Sequence, residues 1–438
     1  MDARFRALCL AALVGCAARQ KPDLKAAQAD LAAGRAELAQ HEFEEILSSD
    51  PGELAAIRGR IESARRRGAL GSLLREAEKS ATERSDDAIA WYTFGLAAFA
   101  ASDEKRAVVA LRKAAELRPG EADIQYRLGV ALLDGEKFAE ARAPLGEAVK
   151  LAPAVARYRP PLAVSLGRLG DRKGAIEALR EFPRLQPAPE EAALAVKVAR
   201  SLTDLFRDLP PPSRSELEQA LGYLSRDAPG LAVPPLEALL ARLPDLAPAH
   251  ALLGLAAARL DEAGRAVTEL RRAAELAPDL PQPHAWLAEL YAAKDKPETA
   301  AAEYALAIER NPLDAESLRR LGLLRLERAL PGALDPLQQA AALQPEDDGL
   351  QLQLARAEIA SGAAVPAKAR LERLSQRRPE DAEVLLRLAM LLFDERAKAP
   401  DPARGDLTRR VEKLLERVLS LQPENAAANR LLSALRAG

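Results

Sequence analysis

AIAWYTFGLAAFAASDEKRAVVALRKAAELRPGE, residues 88–121, decides the fold. It reads as two antiparallel helices that cross closely where Gly95 and Ala107 are small, because a larger side chain there would force the pair apart. Leu111 and the aromatic positions are read as filling the seam to the next helix, and Pro119 ends the second helix, since proline cannot continue one.

The same beat runs outward in both directions. Prolines recur at 119, 153 and 187, then at 244, 278 and 312, and later at 345 and 379, and most of the steps are 34. Gly95 repeats at Gly129, Ala107 at Ala141 and Ala175, and Ala232 at Ala266 and Ala300. One helix pair cannot bury its apolar face alone, so such units gain stability by stacking on their neighbours.

Trp91, Phe94, Gly95, Ala107, Leu111, Ala114 and Pro119, with Leu287, Tyr291, Ala300, Tyr304, Ala307 and Pro312 in the stretch 281–314, stand where the tetratricopeptide repeat has its signature residues. The chain resembles that family, with Ala288 in place of the usual Gly. The resemblance implies an all-α fold: a TPR α-solenoid, a right-handed superhelix of antiparallel helix pairs. In this register repeats fall at 20–53, 54–87, 88–121, 122–155 and 156–189, and the second is degenerate, with Ser85 where the proline belongs. Residues 190–212 supply half a repeat, one helix followed by Pro210, Pro211 and Pro212; it is either a stiff hinge between two arrays or an irregular turn in one solenoid. The phase resumes at 213–246, 247–280, 281–314, 315–347 and 348–381. A further repeat, 382–425, has about ten extra residues around AKAPDPARGD between its helices, and 426–438 reads as a capping helix. The expected organisation is therefore a leader (1–15), an N-terminal array (16–189), a half-repeat (190–212), a C-terminal array (213–425) and the cap, about eleven repeats in all. No segment is left for a separate catalytic domain.

Composition agrees. Hydrophobic residues make up 48% but aromatics only 4%, and the Ala, Leu, Arg and Glu that dominate favour helices. Lys plus Arg number 63 against 65 acidic residues, so no net field draws the chain onto nucleic acid. Both cysteines, Cys9 and Cys16, precede residue 17, which leaves no thiol elsewhere for disulfides or a Cys-based metal site.

The start, MDARFRALCLAALVGCAARQ, places Arg4 and Arg6 before an apolar run from Ala7 to Val14. It reads as a short signal peptide. Leu13-Val14-Gly15-Cys16 resembles a bacterial lipobox, although the apolar run is short and Asp2 is unusual there. The resemblance implies cleavage before Cys16, lipidation of Cys16, attachment to the membrane through that lipid, and, with Ala17 following, sorting to the outer membrane facing the periplasm. The alternative is a retained N-terminus and a cytoplasmic protein.

Catalytic signals are lacking. His41, His250 and His284 have no second ligand at i+3 or i+4, and HEFEE at 41–45 is helix-surface charge rather than a zinc motif. His250 and His284, one period apart, are read as packing residues. No phosphate loop, HExxH or GxSxG occurs. Glu44-Glu45, Asp86-Asp87 and Asp347-Asp348 are read as solvated charge and helix caps. No metal, cofactor or small-molecule substrate is expected, and an enzyme or an enzyme's regulatory arm finds no catalytic segment here.

The family's usual grip is the concave wall made by each first helix at its second, fifth, ninth and twelfth positions. Here the fifth holds Tyr92, Tyr126, Ala251, Ala285, Arg319, Leu352 and Leu386, and the ninth Leu96, Val130, Leu255, Glu289, Leu323, Arg356 and Met390. The wall is read as largely apolar, suited to a partner's amphipathic helix or extended apolar segment. Candidate contacts are Tyr92, Leu96, Phe99, Tyr126, Val130, Arg319 and Arg356, with packing roles open for Tyr92, Phe99 and Tyr126. With Asn only at 311, 425 and 429, a clamp for chaperone C-termini is disfavoured. The expected function is a non-catalytic scaffold for envelope assembly of the pilus, secretion or exopolysaccharide-export type. The alternative is a soluble cytoplasmic adaptor.

Overall fold

The computed structural model of the chain describes residues 23–437. Cys16 and the leader lie outside the described residues. Within them the chain forms 24 α-helices and no strand, with helices following one another in antiparallel pairs. It divides into two compact units, Met1–Asp171 and Arg172–Gly438.

The backbone itself carries the repeat. Left-handed φ angles occur at Gly34, Gly68, Ser102, Glu136 and Gly170, each 34 residues after the last, and again at Asp227, Asp261, Asp295 and Ala329 at the same step. Each lies in the turn between the two helices of a repeat, where a residue just past the helix end must take the αL conformation. Gly362 comes one residue early, as expected from the short repeat 315–347. Between Gly170 and Asp227 the step is 57, which accommodates the 23 residues of the half-repeat.

The small-residue crossing is where it was expected, with one refinement. Leu111 does not only face the next repeat: a Cβ placed on Gly95 would lie 2.6 Å from Leu111 Cγ, so this side chain fills the space that Gly95 vacates in its own pair. Gly129 meets Leu145 at 2.4 Å, Gly254 meets Leu270 at 2.6 Å and Gly322 meets Leu337 at 2.4 Å in the same way. All four leucines are fully buried. The degenerate repeat 54–87 has Ile61 and Leu73 where repeat 88–121 has Gly95 and Ala107. Its helices, Leu54–Arg66 and Leu70–Glu83, lean on neighbouring helices rather than on each other. A pocket of about 340 Å³ lined by Ile57, Ile61, Leu73 and Ala77 opens there.

Successive repeats are tied at their joints. The fourth residue of a repeat or of the capping segment donates an N–H to the carbonyl six residues earlier, in the turn that closes the preceding repeat: Trp91 to Ser85 (3.0 Å), Gln125 to Pro119 (3.1 Å), Arg159 to Pro153 (3.2 Å), Gln351 to Pro345 (3.4 Å) and Asn429 to Pro423 (3.3 Å). His250 Nε2 lies 2.8 Å from the Pro244 carbonyl in the same arrangement. Five different kinds of side chain meet one requirement, an N–H of sufficient reach. Asp87, Asp314, Asp347 and Asp381 accept backbone N–H groups as N-caps, so the acidic residues at these turns serve capping.

Three segments differ from their expected form. The ten extra residues of repeat 382–425 prolong both helices, Ala382–Lys398 and Asp401–Leu421, and leave only Ala399 and Pro400 between them. The triple proline opens a helix instead of standing as a turn: Pro211–Ser225 begins with two prolines, positions whose missing N–H groups would have no intrahelical acceptor. The half-repeat falls inside the second unit. Its helix, Pro189–Leu202, belongs to the second unit, and the short 3-10 helix before it, Phe182–Leu185, carries Arg184, which forms an ion pair with Asp335, 151 residues on, at 3.1 Å. The division between compact units falls ahead of it, within repeat 156–189, whose second helix, Arg172–Leu179, is short and is followed by Pro183.

Ala107 and Ala266 are fully buried at the crossings. Replacing either by Leu should cost about 1–3 kcal/mol through overpacking, measured as a lowered urea midpoint; unchanged midpoints for both would refute the close crossing.

Candidate functional site

In the first unit the wall formed by the first helices is polar at its centre. Asp123, second residue of the helix Ala122–Asp134, keeps only 7% of its side chain exposed. Its carboxylate accepts from Arg58 at 2.8 Å and Arg157 at 3.3 Å, lies 3.7 Å from Arg127, and accepts the Tyr92 hydroxyl. The repeat explains the convergence: Arg58 and Tyr92 are fifth residues of successive first helices, and Asp123 and Arg157 are second residues of the next two. A carboxylate this buried is costly unless paired. Here three guanidiniums surround one carboxylate, and the Nε–H groups of Arg127 and Arg157 are buried without hydrogen-bond partners. Burial, then the Asp123 charge, pushes the Tyr92 hydroxyl well above the usual tyrosine range. Burial alone would lower Arg58, but Asp123 and Tyr92 outweigh it and hold the guanidinium above its ordinary value.

Aromatic rings flank the cluster. Tyr126 and Tyr158 stand 4.7 Å apart between ring centroids, with Arg127 5.2 Å from the Tyr126 ring and Arg157 5.3 Å from the Tyr158 ring.

The candidate contact residues divide. Tyr92 is completely buried and Leu96 nearly so, which makes both supports beneath the wall rather than contacts on it. The cause is the Tyr92 hydroxyl, which turns inward to Asp123. Phe99, Tyr126 and Val130 are partly exposed on the first unit. Arg319, in the second unit, pairs with Glu316 of its own helix at 2.8 Å, and Arg356, also there, is half-buried. His250 and His284 each place Nδ1 against a carboxylate of the same repeat, Glu269 at 2.6 Å and Glu303 at 2.7 Å, a repeated packing pair. Among the described residues no cluster of three or more His, Cys, Asp or Glu could hold a metal ion, and no helix is long and apolar enough to cross a membrane.

In the second unit part of the corresponding wall is already occupied. Phe206, just past the half-repeat helix, is buried in a cluster with Leu217, Leu252, Leu253 and Leu255, while Leu205, Leu209 and Trp286 pack against it. Beside it a cleft of about 1030 Å³ lies between Lys197 and Arg200 of the half-repeat and Gln282, Trp286, Glu289 and Arg320 of the wall.

Residues 48–197 match the family model described as tetratricopeptide repeat. That stretch, about a third of the chain, is similar to tetratricopeptide repeats. No curated protein matches it. Among solved structures it is similar to a characterised pilF of Pseudomonas aeruginosa (21% identity, 51% of this chain and 97% of that one, TM-score 0.39). It is also similar to a thermophilic TPR protein of Thermus thermophilus (19%, 41% and 96%, 0.32) and to MamA (18%, 36% and 94%, 0.29). Tetratricopeptide repeats serve as protein-interaction scaffolds and are generally not catalysts.

Sequence reasoning missed Arg58, Asp123, Arg127 and Arg157. Arg58 lies in the degenerate repeat, where the fifth position was not read. Asp123 and Arg157 are second-position residues, and their opposite charges 34 residues apart were the available signal.

Two outcomes follow from these charges. Asp123→Asn should destabilise the first unit by about 1–3 kcal/mol in chemical denaturation, below the figure for a fully buried pair because water reaches the three guanidiniums. In the second unit, burial raises Glu289 above the ordinary carboxylate range; Arg320, at 3.6 Å, and Arg259 pull it back, while Glu316 and Asp314 push it further. A raised carboxyl favours the fold below its unfolded pKa, and that benefit is lost as pH rises through the raised value. Glu289→Gln should therefore raise the thermal midpoint modestly at pH 7 and leave it unchanged near pH 3.

Proposed function

We propose that this protein is a non-catalytic tetratricopeptide-repeat scaffold of the bacterial envelope, anchored through lipidated Cys16, and that its first unit grips a carboxylate-bearing segment of a partner protein. The observation that carries the second part is the cluster at Asp123. Three guanidiniums against one carboxylate leave excess positive charge, beside the ring faces of Tyr126 and Tyr158. Guanidinium forks bind carboxylates with two parallel hydrogen bonds, and aromatic faces support the apolar part of the same segment. This reading departs from the largely apolar wall expected from the fifth and ninth positions. The anchoring part rests on Leu13-Val14-Gly15-Cys16 behind its basic and apolar flank. A scaffold supporting assembly of the pilus, secretion or polysaccharide-export type fits both parts.

The test is in-cell photo-cross-linking from position 126, read by mass spectrometry of the membrane fraction, in the natural chain, in Cys16→Ala and in Arg127→Glu/Arg157→Glu. The expected result is an adduct with an envelope component that the charge reversal abolishes, and a Cys16→Ala protein that leaves the membrane fraction. Adducts with cytosolic proteins alone, together with fractionation indifferent to Cys16, would establish the soluble adaptor instead.

A further inference from the structure

We propose that the half-repeat is an internal, displaceable occupant of the second unit's groove, and that this groove accepts from a partner protein an apolar segment bearing a Leu–Phe pair, in place of Leu205 and Phe206. The proposal concerns the second unit alone and stands independently of the carboxylate reading of the first.

The seated segment shows what fits. Phe206 is 7% exposed and belongs to the same buried cluster as Leu255, the ninth residue of its first helix. Ala251, the fifth, is completely buried. Leu205 and Phe206 line one cleft with Ala285 and Glu289, the fifth and ninth residues of the following repeat, so the chain itself partly covers the wall at these two repeats.

The cover is loosely held. The half-repeat helix buries chiefly Ala192, Ala195 and Ala199, with Val198 and Leu202, while Leu194 is half exposed, so little apolar area secures it. Its lateral ion-pair tie is Arg172 with Asp208 at its C-terminal end, a partly exposed pair that contributes little. The cleft of about 1030 Å³ beneath it shows that the contact is incomplete. There Gln282 donates to the Thr203 carbonyl at 2.8 Å, while its own Oε1 is buried without a hydrogen-bond partner. Left-handed backbone at Gln186 and Asp208 marks the turns at both ends of the segment. A ligand that reproduces the Leu–Phe contacts and satisfies Gln282 would shift the population from closed to open.

The experiment uses the full chain and a fluorescent peptide with the sequence of residues 200–210, RSLTDLFRDLP. Anisotropy titrations compare the natural protein, the Arg172→Ala variant, which loses only the surface ties to Asp208 and Asp279, and Phe206→Ala, with circular dichroism verifying the fold of each. The expected result is binding at least about tenfold tighter to the variants than to the natural protein, as removal of a competing closed state requires, and none for the peptide in which Phe206 is Ala. Hydrogen exchange of the natural protein should show residues 189–202 less protected than the helix Ala247–Arg259. Equal binding to the natural protein and the tie variant, no binding to a folded tie variant, or equal protection of the two helices would each overturn the proposal. The tie variant keeps the test valid should Phe206→Ala fail to fold.

Discussion

Every regular repeat in this chain depends on one short distance, the approach of two helices where a small residue on the first meets a leucine or alanine on the second. Gly95 with Leu111 and Gly254 with Leu270 show the constraint directly, since a single added carbon would lie well inside contact distance. The repeat that breaks the rule shows what it does. With Ile61 and Leu73 at the crossing, the pair separates and a pocket opens. Stacking on adjacent helices then does what the pair does elsewhere, and this is why one irregular repeat does not end the array.

Much of this was legible because steric constraints repeat in the side chains themselves. A glycine or alanine at the crossing and a proline after the second helix are demanded by geometry at every turn, so the period and the helix pairs follow from Gly95, Ala107 and Pro119. The αL turns were not legible, because Ser102, Glu136 and Ala329 do by backbone conformation what Gly34 and Gly68 do by composition. The joint hydrogen bonds were hidden for a related reason: Trp91, Gln125 and Arg159 look unrelated until only the N–H is considered. The lengthened helices of 382–425 were misread because Pro400 and Pro402 suggested a loop, whereas proline is also at home in a first helical turn.

The walls of the two units were the least legible, since the scaffold does not constrain them. Asp123 draws its partners from four repeats, Arg58, Tyr92, Arg127 and Arg157, and only the stacking brings them together. Phe206 is separated from Leu255 by nearly fifty residues and lies outside the repeat register altogether. In the second unit the chain's own half-repeat covers part of the wall, beside Ala285 and Glu289. In the first unit charge at the second position overrode the apolar pattern of the fifth and ninth.

The bonds across the joints bear on how such a chain comes apart. In each, the acceptor closes one repeat and the donor opens the next, so a turn is complete only while the following helix is in place. An interior repeat loses partners on both sides when it melts, whereas the last one, tied by Asn429 to Pro423, loses them on one. Unzipping from an end is therefore cheaper than opening a bubble in the middle. Each array should behave as a one-dimensional cooperative lattice that frays first at its ends, with the repeat whose crossing is overfilled and the loosely held half-repeat as further weak points.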